Sequence, residues 1–408
     1  MEEHMKCRIV LLVFFLTPML LGQGEHVSHI EGLFYLDQSP VRIDIKDGIL
    51  SKIVRLPESD KSSYNSYIAP GFIDVQINGY ASIDFSGADL TVDGIRRATR
   101  ALWQNGVTTF FPTIITNSHQ RIKTNFAVLA EALRQEDIGH SIPGFHLEGP
   151  YISPEDGFRG AHLQEFVRQP DINQLSEYQK AADGKILFLT LAPEIEGAID
   201  LVEYAVAHGI IVGIGHTAAD AEQIRRAVDA GASISTHLGN GCANMIHRHN
   251  NPLWPQLADD RLSPSLIVDG HHLRPEEVRT FYKVKGAERV LLISDALDLA
   301  GMPPGEYIAG GKKVVMTPDG TIKYPEQNVL AGASLPIGRG VQNIMIYTQC
   351  SLADAVHMAS RNPARHFGLS DRGEIVPGKR ADLVVFTRNG DTLEVQKTIL
   401  AGKIVYAQ

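Results

Sequence analysis

Strand-like runs alternate with helix-like runs through the middle of this 408-residue chain, and no other feature restricts its fold as strongly. The strands read Gly71–Ile77 (GFIDVQI), Val107–Ile115 (VTTFFPTII), Ile142–Glu148 (IPGFHLE) and Ile186–Ala192 (ILFLTLA). Ile210–His216 (IIVGIGH), Ser233–His237 (SISTH), Ser265–Asp269 (SLIVD) and Val290–Asp295 (VLLISD) follow. Helical patterns separate them over Val92–Gln104, Gln120–Gln135, Ile199–Ala207, Ala221–Ala230 and Pro275–Val284. Eight runs rich in Val, Ile and Leu, each followed by a crossover, predict an α/β chain folded as a (β/α)8 TIM barrel. A doubly wound open sheet is the alternative, but no Gly-Xaa-Gly-Xaa-Xaa-Gly follows any strand.

Both ends of the chain read differently from this centre. His29–Leu56 holds the alternating runs IEGLFYL, VRIDIKDG and ILSKIVRL, and the far end answers with GEIVPGKRADLVVFTRNG and TLEVQKTILAGKIVYAQ. Strand-rich and turn-punctuated, they predict one small β-sandwich domain built from both chain ends, residues 25–69 and 369–408, around a barrel over 70–368. Residues 1–24 are different again: Lys6 and Arg8 precede the apolar run Ile9–Leu21, and Gly22-Gln23-Gly24 follows. That order predicts a secretory signal peptide cleaved near Glu25 and an exported mature protein with no membrane span; uncleaved, the leader leaves the protein cytoplasmic.

In such a barrel the chemistry gathers where strands run into their C-terminal loops. The first strand ends in Gln76-Ile77-Asn78, the third in Glu148, the fifth in His216 and the sixth in His237. The seventh runs into Asp269-Gly270-His271-His272, and the eighth ends in Asp295. A Glu closing an apolar strand is costly to bury unless something positive holds it. His146, two residues earlier on the same face, reads as a barrel-interior residue. One His at one tip is unremarkable, but closure of the barrel aims Glu148, His216, His237 and Asp295 at one axis.

Two His and a carboxylate form a catalytic zinc set with a position left for water. Asp295 is then the general base, which predicts metal-assisted hydrolysis of an amide, ester or related bond. Competing chemistries find no support. No Gly-Xaa-Ser-Xaa-Gly elbow is present, and the three Cys have no Cys-Xaa-Xaa-Cys spacing. A net charge of −9 argues against nucleic acid as a partner.

The chain also resembles a known family. PGFIDVQING (Pro70–Gly79), HLEGPY (His146–Tyr151), RGAH (Arg159–His162) and TLAPE (Thr190–Glu194) look like the N-acetylglucosamine-6-phosphate deacetylase family, within the amidohydrolase superfamily. GHT (Gly215–Thr217), THLGNG (Thr236–Gly241), ISDA (Ile293–Ala296), LAGASL (Leu330–Leu335) and the run Asn362–Phe386 continue the likeness, which covers roughly Ile30 to the C-terminus. The resemblance implies Glu148, His216 and His237 as ligands of one divalent metal ion per subunit, zinc first and iron second, with Asp295 as catalytic acid/base. It implies His162, Asn240, Arg248 and His272 around the sugar, with main chain of Ala161, Gly241, Leu330, Ala331 and Gly332 nearby, and a homodimer.

Gln76 and Asn78 stand where many amidohydrolases have His-Xaa-His. A neutral amide is a poorer ligand than imidazole, so the pair reads as a vestigial second-metal position. Lys185 lies at the start of the fourth strand, and no Lys closes it, which again implies a single-metal form. After His237 the family's Asn-Ala-Met is replaced by Asn240-Gly241-Cys242 and a His/Asn-rich loop, MIHRHNNPLW, in which Arg248 keeps the family's spacing.

The expected activity is hydrolysis of the acetamide of N-acetylglucosamine 6-phosphate, an N-acetylated amino sugar. The alternatives are a related amidohydrolase acting on an unphosphorylated N-acetyl sugar or an N-acyl amino acid, and a sugar-binding protein without catalysis. Binding alone needs no general base beside a metal, which disfavours the last.

Overall fold

The computed structural model describes residues 25–309, 312–324, 329–390 and 392–408; the leader expected over residues 1–24 lies outside them. Its centre is the expected barrel. Parallel strands Phe72–Ile77, Val107–Ile115, Phe145–Glu148, Ile186–Leu191, Ile211–Ile214, Ile234–Ser235, Ser263–Ile267 and Leu291–Ile293 pair in chain order. The ring closes between the last and the first: Asp295 N–H donates to Gln76 O at 3.0 Å, and Asn78 N–H donates to Ala296 O at 2.9 Å.

Apolar side chains fill the barrel on two levels. Ile73, Val75, Phe111, Phe188, Ile234, Ile267 and Ile293 pack inside it, and a larger cluster fills the space between strands and outer helices. The helix Arg361–His366 covers the end where the strands begin: Ala364 joins the interior cluster and Ile73 N–H donates to Ala359 O at 2.8 Å. The opposite end, ringed by the strand tips, is the mouth where the chemistry of such a barrel gathers.

The outer helices start where the sequence supplies caps. Thr91 accepts from Gly94 N–H, Ser118 accepts from Arg121 N–H, and Asp220 forms a reciprocal capping box with Gln223. Each cap is worth about 1 kcal/mol. Helix Ile172–Ala181, capped by Asp171, is an addition to the helices expected from periodicity, as it buries only Leu175 and Tyr178.

Strand ends differ from expectation in one consistent way. The fifth, sixth and eighth strands stop at Ile214, Ser235 and Ile293, each two residues before the expected tip. At the tips themselves the backbone turns left-handed, with φ of +49° at His216, +32° at His237 and +51° at Asp295. These side chains therefore leave the ladder at a bend rather than along the strand.

Among the described residues, two larger sheets flank the barrel, besides the short hairpin Gly79–Tyr80 with Ile83–Asp84. Both chain ends share one seven-stranded sheet, ordered Lys403–Ala407, Thr392–Leu400, Leu383–Asn389, Ser66–Pro70, His29–Phe34, Pro40–Lys46 and Ile49–Arg55. Between the eighth barrel strand and helix Ile337–Thr348, the strands Gly305–Ala309, Lys312–Met316, Ile322–Tyr324 and Val329–Gly332 form an antiparallel sheet beside the mouth. Among the described residues, no helix is long and apolar enough to cross a membrane.

Candidate active site

Glu148 closes the third strand at 2% exposure, and its Oε1 is the meeting point of the mouth. His237 Nε2 lies 2.8 Å from it, Gln76 Nε2 donates to it at 2.9 Å, and His216 Nε2 is 3.4 Å away. The two imidazole Nε2 atoms are 3.1 Å apart, and His162 Nε2 comes within 3.2 Å of His216 Nε2. Glu148, His162 and His216 each offer a ligand atom within 4.8 Å of the other two.

The remaining ring nitrogens say which way the lone pairs face. His216 Nδ1 donates to Phe158 O at 3.1 Å, and His162 Nδ1 lies 2.8 Å from Thr116 Oγ1. A ring that donates from Nδ1 presents a lone pair at Nε2. His216 thus turns a lone pair toward the Nε2 atoms of His162 and His237 beside a buried carboxylate, where a cation would be well placed, while His237 Nδ1 is buried without a partner. Outer partners that fix a ring's tautomer are also what metal-ligating imidazoles have. The donor set could hold a metal ion.

Electrostatics divide the carboxylates. Burial pushes the Glu148 carboxyl up, but the His216 and His237 rings outweigh it and hold it well below the usual carboxylate range. Burial, and then the Glu148 charge, push Asp295 up to about 6. Two groups pushed apart in this way suit different tasks, one to hold a cation and one to exchange a proton.

Asp295 is gripped by the first strand. Its Oδ1 accepts from Asn78 Nδ2 at 2.7 Å and from Gln76 Nε2 at 3.1 Å, and the same Gln76 nitrogen reaches Glu148. Gln76 and Asn78, placed by sequence at a second-metal position, here use their amide hydrogens to hold two carboxylates, while Gln76 Oε1 and Asn78 Oδ1 are buried without partners. Left-handed backbone at a non-glycine residue costs on the order of 1–3 kcal/mol and persists where its surroundings over-determine it. His216, His237 and Asp295 all carry it.

Two glycines press on the His216 ring. A Cβ on Gly160 would come 2.9 Å from its Cε1, one on Gly241 would come 2.8 Å from its Nδ1, and both residues have positive φ. Only glycine meets both demands. Through these glycines the loops carrying Ala161-His162 and Asn240-Gly241 are brought against the cluster. The Asn240 side-chain nitrogen is buried there without a partner.

His272 is held through Nδ1 by Asp269 Oδ2 at 2.7 Å. The strand carrying Leu330, Ala331 and Gly332 runs into Ala333, which bridges to Ala296 beside Asp295. Arg248 is exposed on its loop, and no side-chain hydrogen bond joins it to the cluster. His146 is inside the barrel, as expected, stacked on Phe188 at 4.0 Å and 2.9 Å from Thr190 Oγ1; burial lowers its ring to about 3, which keeps it neutral.

Sequence reasoning left Thr116, Asp74 and Glu194 without roles. Asp74 had a signal: an acid in the middle of the apolar run GFIDVQI, now buried with Ser294 N–H 3.2 Å from both its carboxylate oxygens. Thr116 had none.

Comparison with known proteins agrees with this geometry. Residues 67–405 match the model of the Amidohydrolase family. The chain is 32% identical over 371 residues to N-acetylgalactosamine-6-phosphate deacetylase of Escherichia coli O157:H7, covering 91% of this chain and 95% of that protein. It is 32% identical over 376 residues to N-acetylglucosamine-6-phosphate deacetylase of Bacillus subtilis, covering 89% and 92%. Among solved structures, N-acetylglucosamine-6-phosphate deacetylase of Thermotoga maritima superposes with a TM-score of 0.81 at 31% identity, over 93% of this chain and 100% of that one. A mutant of the Mycobacterium smegmatis enzyme in complex with N-acetyl-D-glucosamine-6-phosphate gives 0.82 at 28% identity, again over 93% and 100%.

Proposed function

This chain belongs to the amidohydrolase family, and we propose that it hydrolyses the acetamide of N-acetylglucosamine 6-phosphate to glucosamine 6-phosphate and acetate. One observation carries the reading: Glu148, His216 and His237 converge at the open mouth with Asp295 tethered beside them through Gln76. Relatives and a substrate-bound neighbour of that activity support the choice of sugar.

Glu148, His216 and His237 would hold one divalent ion, with zinc the first choice for this donor set and iron the second. When bound, such an ion brings the pKa of a water from about 15.7 toward 7 and polarises an amide carbonyl. Asp295 takes the proton of the attacking water and returns it to the departing amine nitrogen. Gln76 and Asn78 keep its Oδ1 occupied, so that Oδ2 is the oxygen free for the proton. His162, neutral because burial and then His216 lower its ring to about 3, would line the mouth where the acetamido end of the sugar sits. Arg248, on an exposed loop, would meet the 6-phosphate at the rim.

Acetate release from N-acetylglucosamine 6-phosphate, from its 4-epimer N-acetylgalactosamine 6-phosphate and from N-acetylglucosamine tests the assignment. Turnover of a phosphorylated sugar well above the unphosphorylated one is expected. Equal or better turnover of N-acetylglucosamine would sink it. The epimer is a second reading, favoured by a relative of that activity at the same 32% identity.

Export and a homodimer complete the proposal. The first is supported by the order of residues in the leader and the second by the family resemblance. Met245, 90% exposed, and Trp254, 55% exposed, are large apolar side chains that a second copy would cover. Protein purified from its native host is expected to begin near Glu25 and to scatter light as two chains. An intact Met1 on cytosolic protein contradicts export, and a single-chain mass contradicts the dimer.

A further inference from the structure

We infer that Glu194 is a positioning residue for His216: lodged past the end of the fourth strand, its carboxylate grips the two residues that follow His216 and holds that imidazole in its ligating pose. The inference rests on the reading that His216 binds the metal.

Both oxygens of Glu194 are engaged. Oε1 accepts the Ala218 N–H at 2.7 Å, and Oε2 accepts the Thr217 hydroxyl. The direction of the second bond is fixed by its neighbour. Thr217 Oγ1 already accepts the Ala219 N–H at 2.9 Å, so its single proton goes to Glu194. The loop after His216 thus hangs on one carboxylate by charge-assisted bonds, which are about twice as strong as neutral ones.

His216 needs such support because its own conformation is unfavourable. With φ at +49° it stores strain that nearby structure must offset, and its position decides where Nε2 points. The other restraints come from the third-strand loop: Ser153 N–H donates to His216 O at 2.9 Å, and Phe158 O takes the proton of Nδ1 at 3.1 Å. Glu194 adds the fourth-strand loop from the other side. The loops after the third and fourth strands therefore fix one ring, and Glu194 is the only charged member of the set. Burial pushes its carboxyl up while the Thr217 and Ala218 bonds oppose that shift, as expected for a carboxylate held in place by donors.

An anchor that only stabilises the loop and one that aims a ligand differ in what they change. In the full chain, Glu194→Ala is expected to weaken zinc affinity by about 10–100-fold, the usual cost of losing a partner behind a ligand. Competition with a chromophoric chelator reads that loss directly. KM for the sugar phosphate stays near wild type, and turnover recovers as zinc is raised. Glu194→Gln keeps an oxygen for Ala218 N–H and an amide next to Thr217, so it regains most of the affinity. Thr217→Val removes one bond and falls between.

A folded Glu194→Ala protein with wild-type zinc affinity overturns the inference. If that variant fails to fold, wild-type affinity in Thr217→Val overturns it instead. A wild-type chain that takes up no zinc or iron fails earlier, in the arm that tests the proposed function, and removes the premise.

Discussion

Replacing Asp295 by Asn is expected to leave metal content at the wild-type level and to cut turnover by about 10²–10⁴-fold, the contribution of a positioned acid–base group. The geometry explains why the two effects separate. Both hydrogen bonds to the Asp295 side chain, from Asn78 and Gln76, fall on Oδ1. An Asn that keeps its oxygen there keeps both bonds and the left-handed turn, and loses only Oδ2, the oxygen that takes the proton. Glu148, His216 and His237 are left in place.

The pH profile gives a second readout of the same group. Burial and Glu148 push Asp295 up to about 6, and the base is active only when ionised. A bound cation draws that value down, so on the acid side of the profile, at or below pH 6, the wild-type rate should fall about tenfold per pH unit, and that limb should vanish from the residual rate of Asp295→Asn. Metal analysis with acetate-release kinetics from pH 5 to 8 checks both. A variant within a few-fold of wild type would assign the proton transfer to another residue.

The sequence carried the architecture because barrel strands buried on both faces leave a simple trace, unbroken Val/Ile/Leu runs with a chemical residue at the tip. Glu148, His216, His237 and Asp295 could be picked out by that position alone. Hidden from it was the backbone. Nothing in IVGIGH or SISTH marks the last residue as left-handed, since the bend is imposed by neighbours such as Gly160, Gly241 and the loops of Ser153 and Glu194. Roles that depend on who faces whom were equally hidden. Gln76 and Asn78 appeared as gaps where ligands are missing, whereas in the fold they are donors that tie Glu148 and Asp295 together. The four-stranded sheet by the mouth is hidden for another reason: among the described residues its buried core is Leu299, Val314, Met316 and Ile322, with Met302 and Tyr307 against it, too few to set a period.

Replacing Glu148 by Gln is the counterpart of the Asp295 change and should produce the opposite pattern, activity at background because the metal itself is lost. Glu148 is the only charged member of the proposed ligand set, and its Oε1 is the atom on which His237, His216 and Gln76 converge. Gln has the same shape but no charge, and an amide is a weak ligand for a hard or borderline cation. The fold should survive, since an uncharged side chain is cheaper to keep in this buried place than a carboxylate. Thermal unfolding separates the two claims. A ligand that binds only the native state stabilises it by about 2.7 kcal/mol at 100 times its Kd. Added zinc should therefore raise the wild-type Tm clearly and leave that of Glu148→Gln unmoved, while the metal-stripped proteins unfold at similar temperatures. A Glu148→Gln protein that purifies with stoichiometric metal, or gains the same Tm from zinc, would move the metal site to other residues of the mouth, with His162 the first to examine because its Nε2 already faces His216. Holding the ion and moving the proton are then assigned to different carboxylates by two single-residue changes, each with a result the other cannot produce.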